Sequence, residues 1–249
     1  MTINKAKIMV FDLETSPNVG YFWQSGFKLN IGPENIIHER QVICISWKWL
    51  DEKKVHLLSW DFKKSGDKDK AMLKAFSKEY AKADMVIAHN GDNFDVKWLK
   101  ARIMYHGLEP LSEVNQCDTL KIARANFKLN SNKLDYIAKF IGIEGKAPMS
   151  FGDWKEVMKG SKKALAKMGK YCKQDVLVLE KVYKKLQPYA KGHGIAQGVN
   201  QDNTICPSCG SDHRRKYGYY HTRVGKFQKY RCMSCLHNWK DNRQVKKDG

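Results

Sequence analysis

Lys7-Ile8-Met9-Val10-Phe11-Asp12-Leu13-Glu14-Thr15 begins as a nearly unbroken apolar run and ends in two acids two residues apart. The apolar run, residues 7–11, suits a β-strand covered on both faces. Side chains alternate across a strand, so Asp12 and Glu14 point to the same side wherever the strand geometry continues. Two carboxylates on one face repel, and at the end of an apolar strand the pair is costly unless positive charge lies between them. Divalent cations are the usual remedy. Standing alone, the pair also reads as an ordinary turn with a helix-capping Asp.

Outward from that stretch the pattern is α/β. Residues 41–50 and 54–60 read as two strands joined by the polar turn Asp51-Glu52-Lys53, an antiparallel pair. Residues 16–40, rich in Gly, Pro and aromatics without periodicity, read as an ordered loop. Met72, Leu73, Phe76 and Tyr80 stand at helical spacing in residues 68–82. Residues 84–88 form a short apolar strand, 89–93 a turn, and 94–106 a helix ending at Gly107. Three more helices follow at 118–127, 133–141 and 161–186.

Two further motifs join the first pair of acids. His89-Asn90-Gly91-Asp92-Asn93-Phe94-Asp95 closes one strand and opens a helix, while Tyr171 and Asp175 lie four apart on one face of another. In order and context, Asp12-x-Glu14, Asp95 after Phe94, and Tyr171-x-x-x-Asp175 resemble the DEDD superfamily of exonucleases, and within it the DEDDy branch. That family includes the proofreading domains of DNA polymerases. The match runs from about residue 7 to 183, with Asp118-Thr119-Leu120 and the helix after Lys133 where similar proteins have a DTL turn and a following helix. One departure is that three residues separate His89-Asn90 from Phe94-Asp95, where the family often has two. Asp92 is therefore a rival acid, but Asp95 is the one that follows the phenylalanine.

The resemblance implies a ribonuclease H-like fold: a mixed five-stranded sheet with an antiparallel hairpin, flanked by helices. It implies that Asp12, Glu14, Asp95 and Asp175 hold two Mg²⁺ or Mn²⁺ ions, with Asp12 bridging both and Tyr171 orienting the attacking water. By the same analogy Glu14 contacts a terminal 3′-hydroxyl, and Leu13, Thr15, His89, Asn90 and Phe94 frame the substrate. The implied activity is 3′-to-5′ hydrolysis of DNA or RNA to nucleoside 5′-monophosphates. The alternatives are a structure-selective endonuclease on the same fold and a non-catalytic nucleic-acid-binding adaptor.

Cys206-Pro207-Ser208-Cys209 and Cys232-Met233-Ser234-Cys235 are two knuckles suited to one tetrahedral Zn²⁺, and they resemble zinc-ribbon modules. Iron in a rubredoxin-like site is the chemical alternative. Cys44, Cys117 and Cys172 stand apart and read as buried small side chains. Arg214, Arg215, Lys216, Arg223, Lys226, Lys229, Arg231 and Lys240 alternate with Tyr217, Tyr219, Tyr220, Phe227, Tyr230 and Trp239. Cations beside rings suit single-stranded nucleic acid, although the rings could instead form the small core of the ribbon. Across the chain, 45 Lys and Arg against 26 Asp and Glu leave a formal charge of +19, which calls for a polyanionic partner. No apolar run approaches the ~20 residues that span a bilayer, so a cytoplasmic protein without a membrane partner is expected. Pro188 and a glycine-bearing, aperiodic stretch set the expected division: a catalytic domain over 1–190, a linker over 191–203 and a zinc-ribbon-like nucleic-acid-binding module over 204–249.

Overall fold

The structure, a computed structural model of the chain, describes residues 6–26, 30–63, 68–144, 149–190 and 205–245. In chain order its elements begin with strand β1 (Ile8–Thr15), the short β2 (Val19–Gly20) and β3 (Ile36–His38), then β4 (Val42–Trp49) and β5 (His56–Ser59). Helix α1 (Lys70–Tyr80), β6 (Met85–Ala88), α2 (Asp95–Tyr105), β7 (Asn115–Asp118) and α3 (Thr119–Asn126) follow. Helices α4 (Leu134–Phe140), α5 (Phe151–Met158) and α6 (Lys162–Leu186) complete this part, and β8 (Arg214–Thr222), β9 (Gly225–Cys232) and β10 (Asn238–Gln244) make the C-terminal sheet. No described helix is long and apolar enough to cross a membrane.

The main sheet has five strands in the order β5-β4-β1-β6-β7. β1 runs antiparallel to β4 and parallel to β6, so the sheet is mixed with an antiparallel hairpin at one edge, as the sequence implied. Alternation along β1 sets the layers. Phe11 points to α1, with ring centroids 5.7 Å from Phe76 and 6.0 Å from Tyr80. A ring of that size removed from water contributes ~2–3 kcal/mol. Ile8 and Val10 face the other way and join Ile87, Val176 and Leu179, under α3, α4 and α6. Asp12 and Glu14 continue that second face. The same alternation places Cys44 and Lys48 of β4 toward α6, where Lys48 makes a buried ion pair with Glu180.

Several elements differ from the sequence reading. β1 extends through both acids to Thr15, because its pairing with β4 continues as far as Thr15↔Val42, with an irregularity after Glu14. β7 was not anticipated: Asn115-Gln116-Cys117-Asp118 is short and mostly polar, and it becomes a strand by parallel pairing with β6. α5 escaped notice as well, since eight residues carry little periodicity; a capping box between Ser150 and Asp153 starts it. Within the expected loop 16–40, β2 and β3 form a minimal ladder.

The C-terminal sheet runs β10-β9-β8. Its knuckles sit against the end of α6: Gln187 Nε2 donates to the Ser208 carbonyl at 3.3 Å, and His237 Nδ1 to the Pro188 carbonyl at 3.2 Å. The expected linker, residues 191–203, lies outside the described residues.

Candidate active site and metal centre

Asp12 and Glu14 come from β1 and Asp175 from α6, and one carboxylate oxygen of each lies within 4.8 Å of those of the other two. Helix α6 is aimed by its own pattern. Ser161 caps its N-terminus by accepting from the Ala164 N–H, and its buried stripe, including Met168, Cys172, Val176 and Leu179, lies on the sheet. Tyr171, one turn before Asp175, is half-buried on the same helix. Three acids this close are stable only when protons or cations offset their repulsion, which is the donor set a hard divalent ion takes.

Asp95 stands differently. It opens α2, is 3% exposed, and its Oδ1 accepts the Leu13 backbone N–H at 3.2 Å. Its carboxylate is thus bonded to the backbone between Asp12 and Glu14 and is not within the 4.8 Å cluster of the other three acids. Burial pushes its carboxyl up to about 7; hydrogen bonds from its own N–H and that of Leu13 oppose this, and the charge of Asp118 adds to it. Near neutrality Asp95 hovers between its two states, and a nearby cation would draw off its proton.

The residues expected to frame the substrate occupy varied positions. Leu13 is 3% exposed with its side chain in the core. The Thr15 carbonyl accepts from Trp154 Nε1 at 3.1 Å, tying α5 to the end of β1. His89 is engaged inside the protein, with Nδ1 2.9 Å from Thr119 Oγ1 and Nε2 2.8 Å from the Asn132 carbonyl. A carbonyl only accepts, so Nε2 carries the hydrogen. Asn90 adopts φ 65°, and its carbonyl accepts from Asn93 and Phe94, so the longer turn is absorbed there. Gly91 is required in that turn, because a Cβ on it would come within 2.4 Å of the Ala88 Cβ. The rival Asp92 pairs instead with Lys121 at the surface.

Two residues noticed in the sequence have contacts at the site that it did not assign. Cys172 is fully buried, and its thiol donates to the Asp12 carbonyl at 3.4 Å, with Asp12 Oδ2 3.6 Å away. Burial holds this thiol well above its usual range, with Cys44 and the site acids adding to the effect, so it remains a donor. Its place between Tyr171 and Asp175 was the available signal. Asp118 caps α3 through the Leu120 N–H and also accepts the Asn90 N–H at 2.8 Å, while its Oδ2 is buried without a hydrogen-bond partner. It joins the two turns that border the site.

The four knuckle cysteines form a second cluster, again with all ligand atoms within 4.8 Å. The Cys206–Cys235 and Cys209–Cys232 sulfur pairs are each 3.6 Å apart. Four thiolates around Zn²⁺ at ~2.3 Å have edges of about 3.8 Å, so the cage fits that ion. The Ser234 N–H points to Cys232 Sγ at 3.3 Å, satisfying lone pairs that metal binding leaves.

A sequence profile of the RNase_H superfamily matches residues 36–187, leaving β1 and its two acids outside the matched region. Over 143 residues the chain is 29% identical to the DNA polymerase III PolC-type of Ureaplasma parvum serovar 3, a stretch that is 55% of this chain and 10% of that polymerase. The chain therefore spans about a tenth of the length of this relative. The family B DNA polymerase from the hyperthermophilic archaeon Pyrobaculum calidifontis superposes with a TM-score of 0.56 at 15% identity, covering 74% of this chain and 25% of that chain. That likeness is one of fold. With the profile matching most of the chain and the β5-β4-β1-β6-β7 sheet in place, this protein belongs to the RNase_H superfamily.

Proposed function

We propose that the chain is a metal-dependent 3′-to-5′ exonuclease that hydrolyses the terminal phosphodiester bond of DNA or RNA and releases nucleoside 5′-monophosphates. The observation that carries this is the convergence of Asp12, Glu14 and Asp175 within 4.8 Å, with Tyr171 one helical turn away. Membership of the RNase_H superfamily and similarity to a PolC-type polymerase support a nucleic-acid substrate. The formal charge of +19 suits it.

Asp12, Glu14 and Asp175 would hold two Mg²⁺ or Mn²⁺ ions, with Asp95, bonded to the Leu13 N–H, as the fourth acid. Bound there, the ions would supply the positive charge that activates a water and steadies the attacking and leaving oxygens of an in-line displacement. The chain's own residues set the geometry. Asp95 fixes the backbone between Asp12 and Glu14, and Cys172 fixes the Asp12 carbonyl, so the two acids keep their spacing as charge builds. The Tyr171 hydroxyl orients the water, whose oxygen bonds to phosphorus as the bond to the penultimate 3′-oxygen breaks. Residues 1–190 form this hydrolase in our reading, and 204–249 a module built on one structural Zn²⁺.

Matched DNA and RNA oligonucleotides with free or blocked 3′ ends, incubated in Mg²⁺ or Mn²⁺, test the proposal. Mononucleotide ladders are expected only from free ends. Internal cuts that persist with the block would replace the reading with an endonuclease, and binding without cleavage would replace it with an adaptor.

A further inference from the structure

The C-terminal sheet has two unlike faces. On one, Gln228, His237 and Asp241 are each at most 9% exposed, and Tyr230 packs on Trp239 with centroids 5.6 Å apart. That side holds the module's buried polar groups, although Tyr219 on it is 44% exposed with Lys226 Nζ 3.8 Å from its centroid, and it meets the end of α6 through His237. The other side carries Tyr217, Tyr220 and Phe227, with Tyr217 and Tyr220 41% and 48% exposed.

Register explains how these rings come together. Tyr217 and Tyr220 are three apart, so a regular strand would place them on opposite faces. The ladder slips between Lys216 and Tyr219, where Gly218 takes φ +74°, and the extra residue returns both tyrosines to one side. Tyr220 is directly opposite Phe227, and Lys240 opposite Lys229. Cations cover every ring. Arg231 Cζ lies 4.1 Å from the Tyr217 centroid, and Lys240 Nζ lies 5.1 Å from that of Tyr220 and 4.9 Å from that of Phe227. Arg215 pairs across from Arg231, and no acid lies on this face among the described residues.

We propose that this face of β8, β9 and β10 is a platform for single-stranded nucleic acid, on which bases stack against Tyr217, Tyr220 and Phe227 while Arg215, Lys229, Arg231 and Lys240 pair with phosphates. The proposal rests on the nucleic-acid reading of the chain and assigns the strand's second foothold. Each cation now over a ring is weakly held at an exposed site, and its long side chain swings to a phosphate as a base takes the ring face. A duplex keeps its base faces stacked inside, so the rings select unpaired strands. Stacking of this kind is tolerant of sequence, and the charged contacts make binding fall with salt.

The test uses the full zinc-loaded chain without added Mg²⁺ and a fluorescent, 3′-phosphorylated dT₂₀ or U₂₀, with binding read by anisotropy. Tyr217→Ala with Tyr220→Ala should weaken binding roughly 30-fold, whereas Tyr217→Phe with Tyr220→Phe retains it. Tyr219→Ala, on the opposite face, should change it by less than about twofold. Lys229→Gln with Lys240→Gln should flatten the slope of log affinity against log salt by roughly 1.4. Zinc content equal to wild type confirms that each variant keeps its module.

Equal weakening by Tyr219→Ala, no weakening by the double alanine variant, or polyglutamate of equal charge competing as well as the oligonucleotide would each overturn the platform. The two readings separate in a parallel cleavage assay with free 3′ ends in Mg²⁺. Cleavage with an inert platform removes only this inference, and platform binding without cleavage removes only the exonuclease.

Discussion

The carboxylate cluster and the thiol cluster are both sets of ligand atoms within 4.8 Å, yet they are held in opposite ways. Asp12, Glu14 and Asp175 ride on β1 and α6, whose flanking Val10, Phe11, Leu13, Cys172, Val176 and Leu179 are at most 3% exposed. That frame exists before any ion arrives, and it forces like charges together. Around the thiols the chain offers little of its own: all of β8 but Arg214 is exposed, and the buried apolar residues of the module are Ile205, Cys206 and Cys232 among those described. On the proposed reading an ion would hold the fold there, whereas around the acids the fold would hold the ion site.

Zinc removal is the hardest blow to that contrast. Cys209→Ser, or a strong chelator, should remove about 10 kcal/mol of metal-linked folding free energy from the module, abolishing its β-signal in circular dichroism. The first domain should keep its own melting transition. Loss of both transitions together would show one cooperative unit and erase the distinction.

Substituting an acid of the carboxylate cluster should have the reverse character. Asp175→Ala should lower cleavage roughly 10³-fold while leaving thermal stability unchanged or raised, since it relieves repulsion. A fall in stability matching the loss of activity would mean that this cluster is structural after all.

The frame itself is sharpened by Glu180→Ala, which strands Lys48, 4% exposed, without its partner. Unfolding in urea should show a loss of about 3 kcal/mol, while Lys48→Met with Glu180→Leu should recover most of it. Equal stability of the single variant and wild type would show that water reaches the pair.

The smallest effects are protonic. Asp69 is fully buried; burial alone would raise its carboxyl, but hydrogen bonds from Arg102 and His106 and the charge of Arg102 hold it below its usual value of 3.8. Its folded pKa is depressed, so its stabilisation is present above that value and is lost as pH falls below it. Asp69→Asn should therefore flatten the acid limb of stability below pH ~4; an unchanged limb would reject the assignment. For Asp95, pushed up to about 7, Mg²⁺ binding should release less than one proton below that pH and none well above it. Calorimetry in buffers of different ionisation enthalpy reads this, and Asp95→Asn should abolish it.

Much of the site was legible because its signals are local. Asp12 and Glu14 alternate onto one face of any strand, and Tyr171 and Asp175 share a face of any helix. Apolar spacing likewise marked α1, and Gly107 marked the end of α2. β7 was illegible because Asn115-Gln116-Cys117-Asp118 has no strand propensity of its own and is made a strand by its neighbour β6. Asp95 was recognisable as an acid after Phe94, but its bond to the Leu13 N–H joins residues 82 apart.

The sequence by itself determined the alternation of strands and helices, the positions of the acids and the tyrosine, the two cysteine knuckles and the excess of positive charge. Each is a property of composition or of spacing within a few residues. Only the tertiary structure decided that Cys172 reaches Asp12 across 160 residues, that His89 turns inward to Thr119, and that Gly218 shifts the ladder to put Tyr217 and Tyr220 on one face. Those outcomes depend on sheet register and helix placement, which arise when many distant contacts are satisfied together and which no local pattern encodes.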